Sequence, residues 1–244
     1  MDFELSEEHK ILKSVVRDFM ENEIAPYIKE AEIKEEMPRE VIRKMGNQGF
    51  LGPNFSEQCG GGGMGMLASC IVVEEVSRVW GSLSSYVLIS AGEGLLAFYL
   101  HGTEEQKKKY METTLKGEKI CACAWTEPNA GSDLTRIETT AVKDGDSYII
   151  NGTKIFNSFA TIADFDLILT YTDKNKGSRG GMTYFVVDRG NPGWTITSMH
   201  HMCLRAHASG ESSFQDCRVP AEAMVGEEGK AFYYMVESAV DTRI

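Results

Sequence analysis

The segment from Trp125 to Asp133, WTEPNAGSD, gathers residue types that can hold a ligand by backbone and hydroxyl groups rather than by charge. Thr126 offers a hydroxyl that both donates and accepts. Pro128 fixes its φ, and Asn129, Gly131 and Ser132 permit tight turns that leave N–H groups free. Such a loop suits anionic or carbonyl-rich ligands; the competing reading of each residue taken singly is a solvated loop of small polar side chains. A second polar cluster, Phe156, Asn157 and Ser158, follows after a stretch patterned as hairpins.

The elements that must position these clusters change in kind along the chain. Ser6 is a candidate N-cap with Glu7 and Glu8 in the first turn, and Ile11, Leu12, Val15, Val16 and Phe19 follow at helical spacing until Pro26, where the helix is expected to stop. Pro38 opens a second helix, closed by Gly46 and Gly49. Met66 to Trp80 read as a third and Leu83 to Leu100 as a fourth, whose serines and Glu93 make it a buried core helix rather than a membrane span. Thr103 caps a fifth, which Gly117 ends. After Lys119 the hydrophobic period falls to two. Strands are expected over Ile137–Val142 and Tyr148–Phe156 around Asp144-Gly145, with a further turn at Asn151-Gly152, then over Asp166–Thr172, Met182–Asp188, Trp194–Thr197 and Ser212–Val219. Phe232 to Ile244 turns helical again. The fold class is α+β: an all-helical domain over 1–118, an antiparallel β-barrel or sandwich domain over 119–229, and the start of a C-terminal helical domain over 230–244.

With 244 residues, 42% of them hydrophobic, and no biased tracts, the chain can bury a sizeable core. A net charge of −11 argues against nucleic acid or an anionic membrane as main partner, but local N–H groups can still bind an anion. The six cysteines lack the paired spacing of a zinc site, and no signal peptide precedes the first helix, so free thiols in a cytoplasmic protein are expected and no metal. Cys121 and Cys123, two apart in an apolar strand, face one side and read as core. Gly60 to Gly63 follow no strand and lack GxGxxG register; they read as a flexible connector rather than a phosphate cradle.

Taken together, TEPNAGSD, Gly145 to Lys154 (GDSYIINGTK), Phe156 to Phe159 (FNSF), His101 to Tyr110 (HGTEEQKKKY), Arg205 to Pro220 (RAHASGESSFQDCRVP) and the closing Asp241 to Ile244 closely resemble the acyl-CoA dehydrogenase family, in order and over essentially the whole chain. TEPNAGSD and LRAHASG look most like its glutaryl-CoA dehydrogenase branch. The resemblance implies FAD bound outside a Rossmann fold, an acyl-CoA substrate, and electrons passed to an electron-transfer flavoprotein. It implies that Cys123, Trp125, Thr126, Gly131, Ser132, Phe156, Asn157 and Ser158 bind the cofactor, with Ser132 also reaching CoA, and that Ser85 and Arg243 lie at the substrate.

Several positions depart from the family pattern. Phe156 stands where tryptophan is usual, keeping a stacking ring without the indole donor, and Ser158 replaces threonine. Val240 occupies the place of a common aspartate, with the acid one residue on at Asp241, about 100° around the helix. Ser85 stands where the glutaryl-CoA branch has a carboxylate-binding arginine, so a monocarboxylic or cyclic acyl group is expected. α,β-Dehydrogenation of a thioester needs a carboxylate to take the α-proton. One branch of the family places it just before the arginine matched by Arg243, where this chain has Thr242; the other places it in a helical bundle that follows the position of Ile244. No catalytic residue is therefore assigned within the chain, and the expected assembly is a homo- or hetero-oligomer completed by a chain that bears the bundle. A non-catalytic flavin- or CoA-binding subunit and an acyl-CoA oxidase or enoyl-CoA reductase relative are the competing readings.

Overall fold

The computed structural model describes residues 4–242. Helix α1 (Glu7–Phe19) begins at Ser6, whose hydroxyl accepts from the His9 N–H. Pro26 does not stop it. A π turn over Met20–Ile24, closed by the Ala25 N–H on the Met20 carbonyl, inserts a residue and delivers Pro26 to the first turn of α2 (Ala25–Lys34), where its missing N–H costs nothing. Helix α3 spans Arg39–Asn47 and α4 Gly65–Val79. Between them the glycine run is tied rather than loose: Gly61, Gly62 and Gly63 donate to Ser56, Gly52 and Phe55 carbonyls at 2.8–3.2 Å. Glu75 of α4 has no exposed surface and receives Arg17 of α1 through two hydrogen bonds of 2.9 Å and Arg78 through one of 2.8 Å. Those guanidinium contacts, Arg17 first, hold its carboxyl at about 2 despite burial.

The expected fourth helix is two. α5 (Gly81–Ala91) breaks at Gly92, whose φ −136°, ψ −112° suits only glycine, and α6 (Leu96–His101) resumes after the Gly94 N–H bonds back to Ile89. The segment is apolar enough in composition to cross a membrane, yet 72% of its most apolar window is buried inside the protein, as expected of core helices. Thr103 and Gln106 form a capping box for α7 (Glu104–Gln106), and a π turn over Lys107–Met111 leads into α8 (Glu112–Leu115).

Eight strands form one sheet among the described residues: β1 Cys121–Ala124, β2 Thr140–Asp144, β3 Ser147–Asn157, β4 Phe165–Tyr171, β5 Met182–Asp188 after the single turn α9 (Ser178–Gly181), β6 Trp194–Ser198, β7 Gly210–Pro220 and β8 Met224–Val225. Their order is β6-β7-β3-β2-β4-β5-β8, mostly antiparallel, with β1 lying parallel to β4. β4 is buried along its whole length. Phe165 meets Tyr110 and Phe98 of the helical part at ring-centroid distances of 4.7 and 6.0 Å, while Arg39 binds the Ile162 carbonyl and Asp164, locking the two parts together. Helix α10 (Ala231–Thr242) follows.

Asp144-Gly145 makes the expected hairpin between β2 and β3. Asn151-Gly152 makes no turn: β3 runs straight through it, and the irregularity falls on the partner, where Ile150 pairs with Cys217 but Gly152 with Phe214, so that β7 holds an extra residue. Gly152 is required by contact rather than by turning, since a Cβ there would stand 2.3 Å from Thr139 Oγ1 and 2.7 Å from its Cα. Gly152→Ala is therefore expected to cost about 1–3 kcal/mol by overpacking and to lower the thermal midpoint by several degrees in a melt followed by circular dichroism.

Candidate active site: a polar shelf at the β1 exit

Strand β1, paired with β4, leads into Trp125 and Thr126, and β3 holds them from the other side. The Ile155 N–H donates to the Thr126 carbonyl at 2.9 Å and Lys154 Nζ to the Trp125 carbonyl at 3.1 Å. Glu127 and Ala130 then exchange backbone hydrogen bonds of 2.9 and 3.1 Å around Pro128-Asn129. Asp133 accepts from the Thr135 N–H and hydroxyl, and the Thr135 carbonyl from Tyr171, so the far end of the loop is tied as well. Outward stand Gly131, with open space where a Cβ would lie, and Ser132, beside the likewise exposed Pro128, Asn129 and Asp133, while Thr126 is half-buried.

The second cluster is presented by a bulge. Lys154 pairs with Ser212 but Asn157 with Gly210, so β3 carries one residue too many and its side-chain alternation flips. Phe156 consequently turns outward, 61% exposed, at a left-handed φ of 56°, a strain of about 1–3 kcal/mol for a bulky residue. Asn157 turns inward. Its amide nitrogen donates to Asp166 Oδ2 at 2.5 Å and Ser212 Oγ at 2.9 Å, while the buried Oδ1 has no protein partner. Ser158 is half-buried beside Phe159, which Tyr86 of α5 and His207 hold edge-on at 4.9 and 4.8 Å. Ser85 precedes that tyrosine, half-buried, its shielded hydroxyl without a protein partner. Cys123 is partly buried on β1, its thiol pushed well up by burial, and its Sγ reaches the Glu93 carbonyl at 3.5 Å. Arg243 lies outside the described residues, and the side chains of Val240 and Asp241 are likewise not described.

Beneath the shelf lies a set of charges that residue typing of the loop did not single out. Lys154 has no exposed surface and binds Glu127 Oε1 at 2.8 Å. Glu127 also accepts from the Thr139 N–H and hydroxyl and from the Glu138 N–H at 2.6 Å. Burial alone would raise its carboxyl; the Lys154 charge and these donors outweigh that and leave it lowered. Burial takes Lys154 down to about 8 in spite of its partner. The signal was available, because Tyr148, Ile150 and Lys154 share one parity of β3 and two of the three are plainly core residues. A groove of about 950 Å³ elsewhere, lined by Gln106, Lys109, Asp188, Arg218 and Met224 among others, shares no residue with the shelf. No cluster of metal-ligating side chains occurs among the described residues.

Two family profiles match the chain: Acyl-CoA dehydrogenase, N-terminal domain, over residues 6–118, and Acyl-CoA dehydrogenase, middle domain, over residues 122–217. The chain belongs to the acyl-CoA dehydrogenase family. It is 42% identical over 235 residues to the short-chain specific acyl-CoA dehydrogenase of Clostridium acetobutylicum, a match that covers 95% of this chain and 61% of that protein. Among solved structures, a glutaryl-CoA dehydrogenase bound to glutaryl-CoA superposes with a TM-score of 0.93 at 34% identity, covering 100% of this chain and 62% of that one. An FAD complex of PigA superposes at 0.92 and 29% identity, covering 98% and 63%. The chain thus spans about three-fifths of the length of the proteins it matches. The residues present fit the family's flavin: an outward aromatic ring at Phe156 and half-buried hydroxyl residues at Thr126 and Ser158 suit a flat ring with a polar edge, and the open space at Gly131 admits a phosphate.

Burial raises Asp166 to about 7, against the Asn157 hydrogen bond and the Lys154 charge. A carboxyl whose folded pKa exceeds its unfolded one of about 3.9 binds protons more tightly when folded, so stability falls as pH climbs from about 4 to 7 and stays reduced above. Asp166→Asn removes that dependence. Urea melts should find the variant more stable than the parent by about 2–4 kcal/mol at pH 8, with the difference shrinking toward pH 4.

Proposed function

We propose that this chain forms the helical and β domains, 1–118 and 119–229, of an FAD-dependent acyl-CoA dehydrogenase that desaturates a short monocarboxylic acyl-CoA and passes electrons to an electron-transfer flavoprotein. Residues 230–244 open a C-terminal helical domain, and the protein works as an oligomer in the cytoplasm. The observation that carries the reading is the side-by-side placement of Thr126 and the Phe156–Ser158 bulge, joined by the Ile155 to Thr126 hydrogen bond. FAD bound on this shelf supplies a hydride acceptor. Thr126 and Ser158 orient its polar edge, Phe156 covers one side from water, and Gly131 and Ser132 offer N–H and hydroxyl donors to phosphate. Ser85 at the acyl end supports a monocarboxylic substrate, since a free carboxylate buried there would have no cation.

Two measurements test the reading. FAD added to the purified chain should bind, and Thr126→Ala with Ser158→Ala should weaken it by roughly five- to hundredfold, the loss of two hydrogen bonds of about 0.5–1.5 kcal/mol each; unchanged titrations remove both residues from the site. Turnover with butyryl-CoA should be at background for the chain alone, because positioned proton abstraction contributes about 10²–10⁴ in rate, and should appear when a helical partner with a suitably placed glutamate is added. Robust turnover without that partner would place the base within this chain.

A further inference from the structure

We propose that Lys154 is a positioning residue: its ammonium, clamped between Glu127 and the Trp125 carbonyl, sets the height at which Thr126 stands relative to the Phe156–Ser158 bulge. The hydrogen bonds make the case. Lys154 Nζ binds the loop at the residue before Thr126 and at the residue after it, at 3.1 and 2.8 Å. Its neighbour Ile155 binds the Thr126 carbonyl itself at 2.9 Å. Three successive loop residues are therefore held by two successive residues of β3, and that strand bulges immediately afterwards to present Phe156 and Ser158. One ion pair thus ties the two halves of the shelf to a common reference.

Stability does not require the pair. Both groups are essentially without exposed side-chain surface, and replacing a buried ion pair with apolar or neutral groups of similar volume is often neutral or stabilising. What an apolar replacement cannot supply is a donor aimed at the Trp125 carbonyl and a second at Glu127. Glu127 in turn ties the loop to the entry of β2 through Glu138 and Thr139, so the clamp links β1, β2 and β3 at one point.

The consequence for flavin rests on the function proposed above, but the loop geometry can be read without any ligand. In the double variant Lys154→Met, Glu127→Gln, the thermal midpoint should stay within a few degrees of the parent, while deuterium exchange of the 126–130 and 155 amides of the FAD-free chain rises about tenfold or more and β4–β5 amides stay protected. FAD titrated into the variant should bind about tenfold or more weaker, with a shifted absorption band. If exchange at the loop is unchanged, Lys154 has no positioning role, whatever FAD does. If the parent takes up no FAD, the flavin reading fails and the exchange result still decides the role of Lys154. Should the double variant not fold, Lys154→Met alone decides: Glu127 keeps its three donors from Glu138 and Thr139, and a loop exchanging as in the parent overturns the proposal.

Discussion

A fully buried lysine whose ammonium touches one carboxylate and one carbonyl is the constraint from which the site is built. Desolvating Lys154 and Glu127 is costly, and three further donors to the carboxylate, from Thr139 and Glu138, help their attraction to offset that cost. The requirement propagates outward. Thr139 must sit against Gly152, which is why no side chain is admitted there. β3 must pass Gly152 without turning, and the mismatch with β7 is absorbed as a bulge on β7, near Asp216 at φ 46°. A second bulge, now on β3 itself, follows directly and turns Phe156 to the outside.

The helical part holds the shelf from behind. Tyr86 and Phe159 pack edge-on, and Phe159, like Phe156, sits in the left-handed region at φ 61°. Two such aromatic residues three apart persist only because their surroundings over-determine them. Beneath them Arg39 and Asp164 fix the start of β4, and Asp164 also accepts from the Ile120 N–H at the entry to β1. The strand that leads to Trp125 and the strand that carries Asp166 are thus anchored by one carboxylate.

Much of this was legible in the sequence wherever a local rule governs. The Ser6 cap, the Thr103–Gln106 box and the Asp144-Gly145 hairpin are short-range chemistry, and each element lies where its signal stands. The failures share a different cause. Pro26 reads as a stop because a proline removes one α-helical bond, but a π turn needs no bond there. Asn151-Gly152 reads as a turn because the pair tolerates positive φ, whereas tertiary crowding by Thr139 is what demands the glycine. The inward turn of Asn157 has no local sign either, since it follows from the bulge that reverses its face. Asp166 is silent in sequence, since one acid in an apolar strand looks like an exposed alternate until β4 is known to be covered on both sides.

The electrostatics of the shelf follow from the same burial. Cys123 is held as a neutral thiol, Asp166 is mostly protonated below about 7, and His207 is driven down to about 4 by burial and by His201, hence neutral at ordinary pH. Glu127 alone among these is held ionised, with three donors on Oε1 and one on Oε2. Where Asp166 and Cys123 stay protonated they offer no acceptor for a ligand proton, and His207, though neutral, is a weak base whose Nδ1 is taken up by Ser209 at 2.6 Å. The surface they support is instead a set of fixed dipoles and hydroxyls, suited to orienting a neutral-edged ring and a carbonyl. That division bears on how a chain carrying a net charge of −11 can face an anionic cofactor: Asp166 is buried with a raised carboxyl, Glu127 is turned inward onto Lys154, and exposed Asp133 is engaged by Thr135, so that local N–H groups rather than net charge can set the field at the ligand face.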